Sequence, residues 1–82
     1  MSLRDRVVVA LQETVLSGKT LNVGDDDSLL ESGLLDSLGM MELVEVLGRR
    51  FSVTVSDDEL MPENLDSISA ITGFLERKGV AA

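Results

Sequence analysis

The fifteen residues Ser37-Leu38-Gly39-Met40-Met41-Glu42-Leu43-Val44-Glu45-Val46-Leu47-Gly48-Arg49-Arg50-Phe51 decide how this chain is read. Leu38, Met41, Val44, Leu47 and Phe51 recur at helical spacing and predict a buried stripe. Asp36 stands immediately before this run and suits an N-cap, its charge favoured by the positive end of the helix dipole. Arg49 and Arg50 complement the other end. A helix is therefore predicted from Asp36 or Ser37 to about Arg50. Gly39 and Gly48 each weaken it by up to about 1 kcal/mol relative to alanine, and Gly39 leaves room for a bulky group beside Ser37.

Outward from this helix, the rest of the chain reads as further helix and loop. Leu3, Val7, Ala10, Leu11, Thr14 and Val15 predict a first helix over 3–17, with Ser2 as N-cap and Gly18 as stop. Residues 18–36 carry glycine, serine and Asp25-Asp26-Asp27, which is loop chemistry. Loops of that length in small domains have a function or local structure. Leu29, Leu30, Leu34 and Leu35 are expected to pin it to the core, with Ser28 capping a short turn. Ser52-Val53-Thr54-Val55 alternates but is too short and has no partner strand, so it reads as an extended connection. Ser56 and Glu59 form a capping-box pair for a short turn over 57–60, ended by Pro62. A last helix runs from Asp66 or Ser67 to about Lys78, with Ile68, Ile71, Phe74 and Leu75 inward and Gly79 as stop. The predicted interior comprises Val7, Leu11, Leu38, Val44, Leu47, Phe51, Ile68, Ile71 and Leu75.

Composition sets the class. Eighty-two residues suit a single domain, 1–82, and 44% hydrophobic residues supply a core. Both aromatics are phenylalanine, so that core is aliphatic, and an all-α bundle is the simplest architecture. There is no cysteine and no long apolar stretch, which points to a cytoplasmic protein without stable membrane insertion. The net charge of −8 argues against nucleic acid as a partner, because phosphates select Lys and Arg. Asp25, Asp26, Asp27, Glu31, Asp36, Glu42 and Glu45 fall where no Lys or Arg occurs, between Lys19 and Arg49. That one-signed stretch reads as a docking field for basic partners as well as a solubility device.

Two chemistries fail on the residues. With no histidine the usual serine triad is excluded, and Leu35 stands where a nucleophile elbow needs glycine. The chain is therefore not expected to be an enzyme. The acidic window from Asp25 to Asp36 departs from a calcium loop, with Leu30 at the glycine position and Asp36 in place of the final glutamate. No metal site is expected. A hydroxyl at a helix start without catalytic machinery is a helix-cap serine or an attachment point.

The constellation Glu31-Ser32-Gly33-Leu34-Leu35-Asp36-Ser37-Leu38, followed by Glu42-Leu43-Val44 and Phe51, resembles the acyl carrier and peptidyl (aminoacyl) carrier family. The resemblance spans about Leu3 to Lys78. It implies a four-helix bundle of acyl-carrier type with a long first loop and a short third helix. It implies that Ser37 receives 4′-phosphopantetheine from coenzyme A, through a phosphopantetheinyl transferase working with magnesium. Acyl or aminoacyl groups are then held as thioesters on the arm and presented to loading ligases, synthases and transferases by a monomeric carrier. The expected docking residues are Asp36, Leu38, Met40, Glu42 and Glu45, with Met41 on the buried stripe. Gly48-Arg49-Arg50, Glu45 and the stretch from Leu60 to Ile68 depart from fatty-acid carriers and resemble free-standing carriers of amino-acid activation or specialised biosynthesis. Fatty-acid biosynthesis stays open as the pathway. The alternative is an unmodified acidic helical interaction module.

Overall fold

Local side-chain capping sets where three of the four α-helices begin. The computed structural model describes residues 2–16 and 23–80, the side chains of Val15 and Leu16 excepted. Helix α1 covers Leu3–Leu11, and Ser2 caps it by accepting the Asp5 N–H while the Asp5 carboxylate accepts the Ser2 N–H. It continues as a π-helical turn, Gln12–Leu16, where Thr14 Oγ1 donates to the carbonyls of Ala10 and Leu11. The predicted stop at Ser17 and Gly18 lies outside the described residues. Helix α2 covers Ser37–Phe51 and is capped by Asp36, whose Oδ1 accepts the Gly39 N–H at 2.6 Å. Its far end closes at Ser52, in the left-handed region at φ 55°, whose N–H donates to the Gly48 carbonyl. A Cβ at Gly48 would stand 3.4 Å from the Val53 carbonyl oxygen, an ordinary van der Waals contact.

The following segment corrects one expectation. A 3-10 turn forms at Asp57–Glu59, and the Glu59 carboxylate accepts the Ser56 N–H. Pro62 does not end this turn; it opens a separate helix, α3, over Pro62–Leu65. Proline fits the first helical position because its missing N–H would lack an intrahelical acceptor anyway. Helix α4 covers Ile68–Arg77, and Ser67 Oγ accepts the Ala70 N–H. The described residues contain no strand, so the all-α class and the four-helix layout hold. Val53 and Val55 are both half-buried against the core, as an extended connection requires.

The core gathers Leu3, Val7, Ala10 and Leu11 of α1, Leu43, Val46, Leu47 and Phe51 of α2, Leu65 of α3, and Ile68, Ile71, Phe74 and Leu75 of α4. The α4 face and the α1 positions Leu3, Val7, Ala10 and Leu11 are those predicted; the Val15 side chain, also expected inward, lies outside the described residues. The α2 face is not: Leu38 and Met41 are 69% and 55% exposed, and Val44 is half-buried. The reason is geometric. Three residues turn an α-helix through about 300°, so a chain of i+3 steps drifts about 60° per step. Leu38, Met41, Val44 and Leu47 therefore wind from the solvent side to the core rather than sharing a face. The buried set Leu43, Val46, Leu47 and Phe51 combines i+3 and i+4 steps and stays on one arc.

Loop 23–36 is held by the helices it crosses. Asp66 Oδ2 accepts the Ser28 hydroxyl at 2.6 Å, Asp66 Oδ1 accepts the Leu30 N–H at 2.8 Å, and the Asp66 carbonyl accepts the Leu29 N–H at 2.7 Å. Ser28 Oγ in turn accepts the Glu31 N–H, the short turn its position predicted. Leu29 and Leu35 are buried and Leu30 and Leu34 half-buried, so the leucines do pin the loop. Arg4 of α1 grips Asp25 at 2.7 Å, and the Ser69 N–H donates to the Asp25 carbonyl.

Candidate carrier site

Ser37 opens α2 at the point where the anchored loop ends, and its side chain is exposed. Among the described residues its hydroxyl makes no hydrogen bond. Other serines beside core segments differ: Ser28 Oγ–H donates to Asp66, Ser32 Oγ–H donates to the Leu29 carbonyl, and Ser67 Oγ accepts an amide N–H. Ser52 and Ser69 are also exposed, but Ser52 closes α2 and Ser69 lies within α4. Among the described residues, Ser37 alone joins exposure, an unengaged hydroxyl and a long helix start.

The surrounding backbone suits an anion. Asp36 takes up the Gly39 N–H, and the Met40 N–H donates to the Asp36 carbonyl. The N–H groups of Ser37 and Leu38 have no acceptor among the described residues. Helix starts with such free donors, at the positive end of a fifteen-residue helix, favour a phosphate. Gly33, at φ +81°, turns the chain just upstream, a conformation that a side chain would strain.

Beyond Ser37 the exposed side of α2 carries Leu38, Met41, Glu42 and Glu45 at helical spacing. Glu42 and Glu45 make no ion pair among the described residues. Met40, expected beside them, is half-buried against the core, whereas Met41, expected inside, is exposed. The acidic stretch is also less uniform than its sequence suggests. Asp25 is paired with Arg4, whose guanidinium holds the Asp25 carboxyl below its usual range. Asp27 accepts the Gly24 N–H, and Asp36 is a cap. At the far end of α2, Arg50 pairs with Glu13, and this contact is the main cause of the lowered Glu13 pKa.

Residues 6–75 match the family model described as "Phosphopantetheine attachment site". The chain belongs to this phosphopantetheine-bearing carrier family. It is also 30% identical over 77 residues to the D-alanyl carrier protein of Streptococcus suis (strain 98HAH33), across 93% of this chain and 95% of that protein. The prosthetic group of the carrier is 4′-phosphopantetheine, and an exposed hydroxyl beside free backbone amides at the start of α2 is chemistry that suits its phosphate. No helix among the described residues of the carrier is long and apolar enough to cross a membrane.

The sequence puts Ser37 and Asp36 at the start of α2 and Glu42 and Glu45 on its exposed side, where the structure also has them, but gives no sign of Asp66, which fixes the loop leading to Ser37. A single aspartate before a helix reads only as a cap candidate, and nothing local signals a partner 38 residues away.

Proposed function

We propose that Ser37 is the attachment residue and that the chain acts as one carrier domain for small or aminoacyl cargo. The observation that carries the reading is the exposed Ser37 hydroxyl, free of hydrogen bonds to the described residues, at the start of α2. In the transfer the Ser37 oxygen attacks the β-phosphorus of coenzyme A. A phosphoester bond forms, the pyrophosphate link breaks, and 3′,5′-adenosine bisphosphate leaves; the serine proton passes to a base of the transferase. The arm's thiol then bears the cargo as a thioester, and the carrier's own residues supply position rather than chemistry.

The acids Asp36, Glu42 and Glu45 would meet basic side chains on the transferase and on a cargo-loading ligase, with Leu38 and Met41 as the apolar centre and Met40 behind them. Exposed charges of this kind govern association rate and salt sensitivity more than affinity, which suits a carrier that must leave each partner. The similarity to a D-alanyl carrier protein supports an aminoacyl cargo over a fatty acyl chain, as do Glu45 and the basic end of α2.

Incubation with coenzyme A, Mg²⁺ and a broad-specificity transferase, followed by intact mass spectrometry, tests the assignment. The wild-type chain gains one phosphopantetheine and Ser37→Ala gains none, while its far-ultraviolet circular dichroism is unchanged. A Ser37→Ala chain that still gains the mass would falsify the assignment. A wild-type chain that never gains it would leave the unmodified interaction module.

A further inference from the structure

We propose that the prosthetic arm rests in a groove between the π-helical end of α1 and the outer face of α2. The inference rests on Ser37 being the attachment residue. Two depressions adjoin along this line. One, of about 270 Å³, lies beside Ser37 between Gly33, Leu34, Leu38 and Gly39. The other, of about 530 Å³, is walled by Glu13, Glu45, Val46 and Arg49. Thr14 and Glu42 line both, so the two form one groove.

Its direction and length suit the arm. Leu38, Glu42, Glu45 and Arg49 follow one another at i, i+4, i+7 and i+11, a single line along α2. From Gly39 to Arg49 that line is about 15 Å at 1.5 Å rise per residue, comparable to an extended phosphopantetheine chain. The arm carries a hydroxyl and two amides between its phosphate and its sulfur, so it needs polar walls as well as an apolar floor. Glu42 offers carboxylate oxygens to amide N–H groups. Thr14 Oγ1 has its proton directed to Ala10 and Leu11 carbonyls and keeps a lone pair for an incoming donor. Val46, 4% exposed, supplies the floor. The π-helical turn is what places Glu13 and Thr14 opposite α2; such turns are rare inside helices and recur at functional sites. Glu13 is held back by Arg50, and the far end then presents Glu45 and Arg49, neither in an ion pair among the described residues. Charged walls there suit a polar cargo terminus and repel a long alkyl chain.

The chain contains no cysteine, so the arm's thiol is the one thiol of the holo-protein and takes a label uniquely. A maleimide nitroxide on that thiol, read by ¹H–¹⁵N NMR, should broaden the Thr14, Glu45, Val46 and Arg49 amides selectively. Thr14→Arg, which fills the groove at its junction, should abolish that selectivity and raise the thiol's alkylation rate toward that of free pantetheine. Broadening spread evenly over the surface, or centred on α3 and α4, would overturn the groove whatever Thr14→Arg does. Intact mass separates the two readings: a labelled arm on Ser37 with no groove pattern sinks only the groove, whereas no mass gain at Ser37 sinks the attachment residue.

Discussion

The two ends of α2 are built from similar residues and do opposite work. The first turns leave Leu38 and Met41 in solvent beside Ser37, Glu42 and Glu45. The last turns bury Leu47 and Phe51, set the Arg6 guanidinium 4.7 Å from the Phe51 ring centroid, and tie Arg50 to Glu13. One end is anchored in the core and the other is displayed to solvent. A leucine's contribution therefore depends on which end of the helix it occupies, and the two ends should separate under mutation.

The largest expected difference is between two leucines. Leu47→Ala removes a fully buried side chain from the α1–α2–α4 core and should cost about 2–5 kcal/mol, read by urea or thermal unfolding. Leu38→Ala should fall within about 0.5 kcal/mol of wild type, with its effect appearing in partner turnover instead. Equal losses at both sites would erase the distinction between the ends.

Asp66 extends the comparison to the loop that delivers Ser37. Asp66→Ala strands the Leu30 N–H and releases the Ser28 hydroxyl, so a loss of about 1–3 kcal/mol is expected. Hydrogen exchange should show the change concentrated in residues 28–35, with the Leu43–Phe51 amides following only global stability. A uniform rise in exchange would mean that the loop and α2 open as one unit.

Acid should act on the anchored end. Arg50 holds Glu13 below its ordinary value of 4.5. A carboxylate lowered in the folded state stabilises fully above its unfolded pKa, and that contribution fades as pH falls through the folded pKa. The melting-temperature gap between wild type and Glu13→Gln should therefore be widest at neutral pH and close below about pH 4.5. The pair is exposed and screened, so the gap is small, and 1 M NaCl should narrow it. A gap that widens toward acid would show that Glu13 matters for something other than the ion pair.

The smallest effect on stability belongs to the displayed end. Glu42→Lys and Glu45→Lys should leave the melting temperature nearly unchanged while slowing phosphopantetheine transfer and flattening its salt dependence. Rates and salt slopes unaltered at low ionic strength would remove these acids from the docking surface.

The amino-acid order acts locally: Ser2, Asp36 and Ser67 fix three helix starts because a side-chain oxygen next to orphan amides acts within a few residues. The same locality placed Ser37 at the head of α2 and the inward faces of α1 and α4, where each helix has one apolar arc. Tertiary structure decided what local pattern leaves open. Apolar residues cover more than half of the circumference of α2, so two stripes can be drawn through it, and only packing against α1 and its π-helical continuation selects Leu43 and Val46 over Leu38 and Met41. Pro62 fits the end of one turn or the start of the next helix equally well by its dihedral angle, and the surrounding contacts choose the start. Asp66 became the anchor of the carrier loop through bonds to Ser28 and Leu30 that exist only once the chain has brought distant segments together.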